Sequence, residues 1–442
     1  MCKQILKLFL IGLFIAIFSG GENLAAAQQT FDADAATEAY LASVPAEDRA
    51  ASDAYFEGGY WLILWNTLYG LAAAFILLQF GISRKMREWG EKVTRFKFVN
   101  IFAYIVQYLI VSFAIGFPIT WYAGFIREHQ YGLATQTFGP WFNEQLIGLG
   151  ITIVIFGFAL SWLYKLIAWK PKTWWLWGGA GTAVFFMIVL TISPVFISPL
   201  FNDYKPLEEG ELRTEILAMA RANQVPAEEV YWFDASKQTT RISANVSGMF
   251  GTTRISLNDN LLEGATLPEI KAVMAHEIGH YVTNLFIALI LPISIVIMLG
   301  FGFVHVTFNK VNARYGAKWG VKGIADPAGL PLLFALLGVF FMVMTPLLNT
   351  IIRENERLAD TYGLNAAQEP DGFATIALKL GVYRKLDPTP LEEFIFYDHP
   401  SGRSRIQMAL EWKAEHLGQT REIEDLLEAV ERLDEEAASG EE

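Results

Sequence analysis

The sequence is nearly devoid of cysteine: the single thiol among its 442 residues is Cys2. That excludes a disulfide framework and a metal site built on thiolates, so any metal must be held by nitrogen and oxygen. Histidine is scarce as well, at six residues, and a regularly spaced pair therefore stands out. Charged residues make up only 18% of the chain, and it contains no internal repeat or long low-complexity stretch. What fills the sequence is apolar: 53% of residues are hydrophobic and 33 are phenylalanine. The apolar runs are too long for the two or three soluble domains that length alone would allow, and the chain reads as an α-helical integral membrane protein. Its formal charge of −12 is uneven, with basic residues gathered in short connections and an acidic tail from about Glu422. This is a topology signal and not a nucleic-acid footprint. A lipid bilayer is the expected surrounding, and no nucleic-acid partner is expected.

The chain divides along these lines. In residues 1–27, Lys3 and Lys7 precede an apolar run that ends near Phe18, and Ala25-Ala26-Ala27 follows. This is the layout of a secretory signal peptide, with a retained first transmembrane helix as the alternative. Residues 28–57 are small and polar, an exposed and partly helical lead-in. Four spans are expected within 58–200, at about 60–80, 99–121, 146–169 and 174–200, each long enough to cross about 30 Å of hydrocarbon. Interfacial aromatics such as Trp61, Trp121, Trp169 and Trp174 sit at their ends. Pro118, Pro194 and Pro199 are placed to kink or end helices, and Asn66, Gln79 and Gln107 to hydrogen-bond between helices.

Residues 201–284 have the composition of a small soluble α+β domain. Helical periodicity covers 207–223, and strand patterns fall at 230–233 and 254–257, with a short exposed edge strand at 243–248 between them. Two further spans follow within 285–351, at about 286–306 and 330–351. Soluble helices are expected in 352–442. Basic residues concentrate at Arg84–Lys97, at Lys170 and Lys172, and at Lys310–Lys322, which is every second connection. The positive-inside rule makes that side cytoplasmic. The soluble domain then faces the opposite compartment, the periplasm if the signal-like start marks a bacterial inner-membrane protein.

The chemistry concentrates in His276-Glu277-x-x-His280. The preceding Thr266-Leu-Pro268-Glu269 fits a capping box with proline in the first turn, so the motif is expected on a helix, one that runs on into the span at about 286–306. Spacing i, i+4 puts both imidazoles on one face, where their nitrogens can converge on one cation. One Zn2+ per chain suits these ligands, and Glu277 is placed to take a proton from water without ligating. Ordinary interfacial histidines would show the same spacing. A third ligand is sought near the membrane surface, where Glu356 and Asp360 form an i, i+4 pair directly after the last span. Glu356 as ligand, with Asp360 orienting a histidine ring, would complete a His–His–Glu site. Glu354 is an alternative on spacing alone, and a merely solvated helix face is another. His129, His305 and His416 have no motif around them and are expected to be structural or surface residues.

Four blocks, in this order and spacing, resemble the Ste24 (CAAX prenyl protease) family of integral-membrane zinc metallopeptidases, which is related to the HtpX proteases. They are Asn245-Val246-Ser247-Gly248 with Arg254-Ile following, His276-Glu-x-x-His280, Glu356-x-x-Ala-Asp360, and His399-Pro400 with Arg405. The number of spans ahead of the motif favours the Ste24 branch. The resemblance implies that Glu356 is the third ligand, Glu277 the general base and Asp360 the carboxylate behind the ligands. It implies that Asn245–Gly248 bind the substrate backbone, that His399 and Arg405 lie near the active site with the histidine helping an oxyanion, and that the spans enclose a helical chamber. It also implies a membrane endopeptidase acting on peptide or protein substrates. Where the family usually has Ser-Arg ahead of the ligand glutamate, this chain has Ile352-Arg353. Eukaryotic members present the site to the cytosol, opposite to the charge pattern here. A channel-like or quality-control protein with a structural zinc is the reading from another class.

Overall fold

A computed structural model describes residues 31–248 and 253–416; the expected signal segment and the acidic tail lie outside them. Helix α1 (Ala33–Ala42) is N-capped by Asp32, which accepts from Ala35 N at 3.0 Å. It is followed by α2 (Ala46–Gln79), α3 (Ile82–Val93), α4 (Lys97–Gln130), α5 (Phe138–Trp169) and α6 (Trp174–Leu200). Among the described residues six helices are long and apolar enough to cross a membrane. Four are α2, α4, α5 and α6, and the other two are α10 and α11 below. Two of the three expected prolines fall where the helix changes form, while Pro118 lies inside α4. Pro194 opens a π-helical turn at Ser193–Ile197, and Pro199 sits in the 3₁₀ turn that ends α6.

Two expectations about connections change. The first basic connection is an amphipathic helix, α3, with Met86 and Arg87 buried. Arg87 donates to Asp326 Oδ2 at 2.5 Å and to Gly320 O at 3.0 Å, which ties the first basic connection to the third. The second starts α6, whose Trp174 Nε1 donates to His305 Nδ1 at 3.1 Å. All three basic connections thus lie at one end of the helical bundle. The lead-in is not free either. Leu41 of α1 is 2% exposed and packs with Phe373, Ile406 and Leu410 near the C-terminus.

At the other end sits a four-stranded sheet of β1 (Tyr204–Pro206), β2 (Val230–Phe233), β3 (Ala244–Ser247) and β4 (Arg254–Asn258), in the order β1-β2-β4-β3. The β2–β4 pair is parallel and the other two are antiparallel. Strand β1 has only three residues and ends in proline, too short to carry a periodic signal. The chain between these strands forms α7 (Glu211–Ala222), and α8 (Asp259–Gly264) follows β4. Next comes α9 (Leu267–Val282), started by the expected capping box, with Thr266 N donating to Glu269 Oε2 at 2.7 Å. It does not run on into the membrane. Asn284 at φ 53° breaks the helix, a left-handed conformation that asparagine tolerates, before α10 (Leu285–Trp319) begins. Conversely, the last span and the polar helix after it are one rod, α11 (Leu330–Ala367), of 38 residues. Helices α12 (Pro370–Leu380), α13 (Pro390–Phe396) and α14 (402–416) complete the fold.

Candidate active site

The site forms where α9 crosses α11, and two glycines set how close they come. A methyl group at Gly363 would stand 2.9 Å from the His276 backbone nitrogen, and one at Gly279 would stand 3.2 Å from Ala359 O. Interior glycine costs a helix about 0.5–1 kcal/mol relative to alanine; here it permits backbone contact at the motif itself. Gly363 is a functional position that carries a usable signal in the sequence, a glycine inside a helix beside a candidate ligand.

With the helices so close, His276 Nε2 and His280 Nε2 are 3.0 Å apart and lie 3.3 and 3.5 Å from Glu356 Oε2. Two ligands bonded tetrahedrally at zinc distances stand about 3.3 Å apart, so these three atoms have the spacing of one face of such a site. All three residues are buried. Glu356 Oε2 is buried among imidazole nitrogens at 3.3–3.5 Å without a well-formed hydrogen bond to any of them, a costly state for a carboxylate that a cation would relieve. The donor set therefore fits a metal ion. Glu354, the alternative on spacing, is exposed and pairs with Arg357 at 3.1 Å.

Behind the ligands, His276 Nδ1 lies 2.7 Å from Asp360 Oδ1. Asp360 is fully buried, and Arg405 grips it with two nitrogens, Nε donating to Oδ2 at 3.0 Å and Nη2 to Oδ1. Burial disfavours a charged His276, but the Asp360 carboxylate outweighs it and holds the imidazole at about 9. Arg405 is thus brought to the site through Asp360, while His399 comes to its front. His399 Nε2 lies 3.3 Å from Glu356 Oε2, and Nδ1 is 2.8 Å from Asp398 Oδ1. Burial raises the Glu277 carboxyl above its ordinary value, the two motif histidines opposing this only in part, the direction that suits a general base near neutral pH.

Two cavities border this centre. One, of about 760 Å³, is bordered by His280 and by Asn245, Val246, Ser247 and Gly248. The other, of about 180 Å³, is bordered by His276, Glu277 and His399 and by Ser243 and Ala244. Strand β3 therefore runs past both as the edge of the sheet. Gly248 ends it at φ 95°, a conformation that favours glycine. The other histidines are elsewhere: His129 contacts Phe125 O and Gln136 O, His305 meets Trp174, and His416 Nδ1 contacts Trp412 O. Within the bundle Gln107 donates to Met86 O and Ala103 O, and Gln79 accepts from Trp319. Asn66 instead borders an intramembrane cavity of about 350 Å³ between α2, α4 and α11.

Two imidazoles and a carboxylate on crossed helices, with a glutamate on a cavity wall at the head of span-length helices, define an integral-membrane metallopeptidase. The comparisons with known proteins agree. Residues 206–413 match the peptidase family M48, and residues 31–203 match the CAAX prenyl protease N-terminal region of five membrane helices. An uncharacterized metalloprotease, YhfN of Bacillus subtilis, is 31% identical over 337 residues, covering 76% of this chain and 79% of that protein. CAAX prenyl protease 1 of Saccharomyces cerevisiae is 26% identical over 384 residues, covering 80% and 83%. The crystal structure of S. mikatae Ste24p shares the fold, with a TM-score of 0.67 at 24% identity over 83% of this chain and 89% of that one. The chain belongs to peptidase family M48, in its Ste24-like branch.

Proposed function

We propose that the protein is a zinc-dependent endopeptidase that cuts membrane-associated or exported proteins, with His276, His280 and Glu356 as the metal ligands. The observation that carries this is the convergence of two imidazole nitrogens and a buried Glu356 oxygen, with Glu277 beside them on a cavity wall. When bound, the ion supplies Lewis acidity, polarising a scissile carbonyl and lowering the pKa of water. Glu277 takes the proton of the attacking water and returns it to the departing amine nitrogen. His399, set by Asp398, donates to the oxyanion that develops on the carbonyl oxygen. Asp360, clamped by Arg405, holds the His276 ring with its Nε2 toward the centre. The free edge of β3 takes an extended peptide by strand addition, with Asn245–Gly248 contacting its backbone. A purely structural zinc would need neither the cavities nor the glutamate that borders one of them.

The test compares the purified, zinc-loaded protein with Glu277→Gln on a quenched-fluorescent peptide library. Glu277→Gln is expected to keep its zinc and its melting temperature and to lose about 10²–10⁴-fold in kcat. Cleavage at the wild-type rate by a metal-loaded Glu277→Gln protein would leave the structural-zinc reading standing.

A further inference from the structure

Four arginines border the 180 Å³ cavity of the active site or the cavity of about 420 Å³ next to it. Three are engaged. Arg405 is clamped to Asp360. Arg241 donates to Glu128 Oε2 at 2.8 Å and to the Tyr55 hydroxyl at 2.6 Å. Arg127 donates to Tyr55 O and lies over the Tyr55 ring at 4.0 Å. The fourth, Arg384, borders both cavities, and among the described residues its guanidinium has no hydrogen bond and no ion pair. Burial lowers its pKa from the ordinary guanidinium value, and Arg405 nearby adds to that. Asp398, and after it Tyr383 and Glu356, work against this shift, but Asp398 is held by His399 Nδ1 and Glu356 faces the motif histidines. The backbone that carries Arg384 is fixed: Ser52 Oγ donates to Gly381 O at 2.5 Å and to Arg384 O at 3.0 Å. A part-buried guanidinium held on this turn without a protein acceptor is able to take an anion bidentately.

Its place relative to the bond being cut follows from two independent directions. The amine nitrogen that receives the Glu277 proton must sit on the Glu277 side of the centre, and Glu277 borders the same cavity as Arg384. A peptide added to β3 antiparallel, the pairing β3 already makes with β4, would run from the Gly248 end toward the Ala244 end. Its C-terminal part then enters that same cavity, which Ser243 and Ala244 border. We propose that Arg384 binds a carboxylate of the leaving, C-terminal side of the substrate and so selects peptides that carry one there. The inference rests on the peptidase reading above. The carboxylate has two sources, the free α-carboxylate of a nearby C-terminus or an acidic side chain.

The experiment uses the full-length, zinc-loaded protein and three peptides with one scissile sequence. One is a free acid, one its C-terminal amide, and one an amide bearing aspartate on the leaving side. The wild type is expected to prefer a carboxylate peptide over the plain amide about 10–100-fold in kcat/KM, the range for hydrogen bonds to a charged group. Arg384→Gln should bring that ratio to near one, mostly through KM, and Arg384→Lys should retain part of it. Preference for the free acid alone identifies a terminus, and equal preference for both acids identifies charge without regard to source. The same peptides, fluorescently labelled, are titrated against Glu277→Gln with and without Arg384→Gln. Binding is thereby read even if no peptide is cut, which separates failure of the peptidase reading from failure of this one. Equal loss on acid and amide peptides, or an unchanged ratio, would overturn the assignment and leave Arg384 as a structural partner of Asp398.

Discussion

At the scale of single residues, two glutamates two positions apart on one helix have opposite fates. Glu356 is turned into the site, and Glu354 faces out against Arg357. Replacing Glu356 by Ala is expected to lower zinc content at least tenfold by elemental analysis of the purified protein, while Glu354→Ala keeps one zinc per chain. Equal loss from both would reassign the third ligand. Asp360 meets His276 Nδ1 at 2.7 Å, one step behind the proposed ligands, and carboxylates in such a position typically contribute 10–100-fold to metal affinity. Asp360→Asn should weaken zinc binding within that range in a chelator competition, with Glu277 chemistry otherwise intact. The His276–Glu277–His280 part of this site was legible because helical spacing alone puts two rings on one face. The rest was open on residue grounds, since Glu354 and Glu356 satisfy the same spacing rule. What separates them is which face of α11 meets α9, and no local pattern in the sequence states that. Arg405 was placed near the site by resemblance, yet its route there, through Asp360, is visible only in three dimensions.

Among elements, the decisive contact is the crossing of α9 and α11. Gly363 lies inside an otherwise ordinary helical stretch, and its lack of a side chain lets α11 reach the His276 backbone. Gly363→Ala is therefore expected to destabilise the protein by about 1–3 kcal/mol, the usual cost of overpacking, and to lower zinc content in parallel. Gly338→Ala is the control in the same helix, because a methyl there meets nothing within 4 Å. A calorimetric Tm and a zinc assay on both variants check this, and a Gly363→Ala protein with normal metal would show that the helices can part without moving the ligands. Element types were read well where runs were long and apolar, and the ends were not. The α9–α10 junction looked continuous because Thr283 and Asn284 are single polar residues in an apolar context, and the break depends on Asn284 adopting a left-handed conformation. Strand β1 was missed for the opposite reason. It is too short to carry a pattern and exists because Tyr204–Pro206 pair with Tyr231–Phe233.

For the whole molecule, the arrangement fixes that residues 31 and 416, the two ends of the described residues, share a side, whatever the membrane's polarity. Helix α1 is docked on the C-terminal segment through Leu41, with Glu38 pairing to Arg403 and Asp34 accepting from Gln407. Residue 31 and residue 416 are therefore on the same side, as six crossings between them require. The metal centre lies on that side too. The polar lead-in looked exposed in the sequence because its partners, Phe373, Ile406 and Leu410, are more than 300 residues away along the chain. At the far end, Arg87 joins Asp326 and Trp174 joins His305, so the basic connections form one surface. Moving that surface across a membrane would oppose the lysine and arginine bias that normally sets orientation. The metal centre is accordingly expected outside the cytoplasm in a bacterial host. The near absence of cysteine makes the test direct, because Cys2 is the only native thiol. Single cysteines at Lys92 and at Glu411, in a Cys2→Ser background, are exposed to a membrane-impermeant maleimide in spheroplasts. Glu411→Cys should label at once and Lys92→Cys only after permeabilisation. The reverse pattern would place the metal centre in the cytoplasm and make its substrates cytoplasmic proteins.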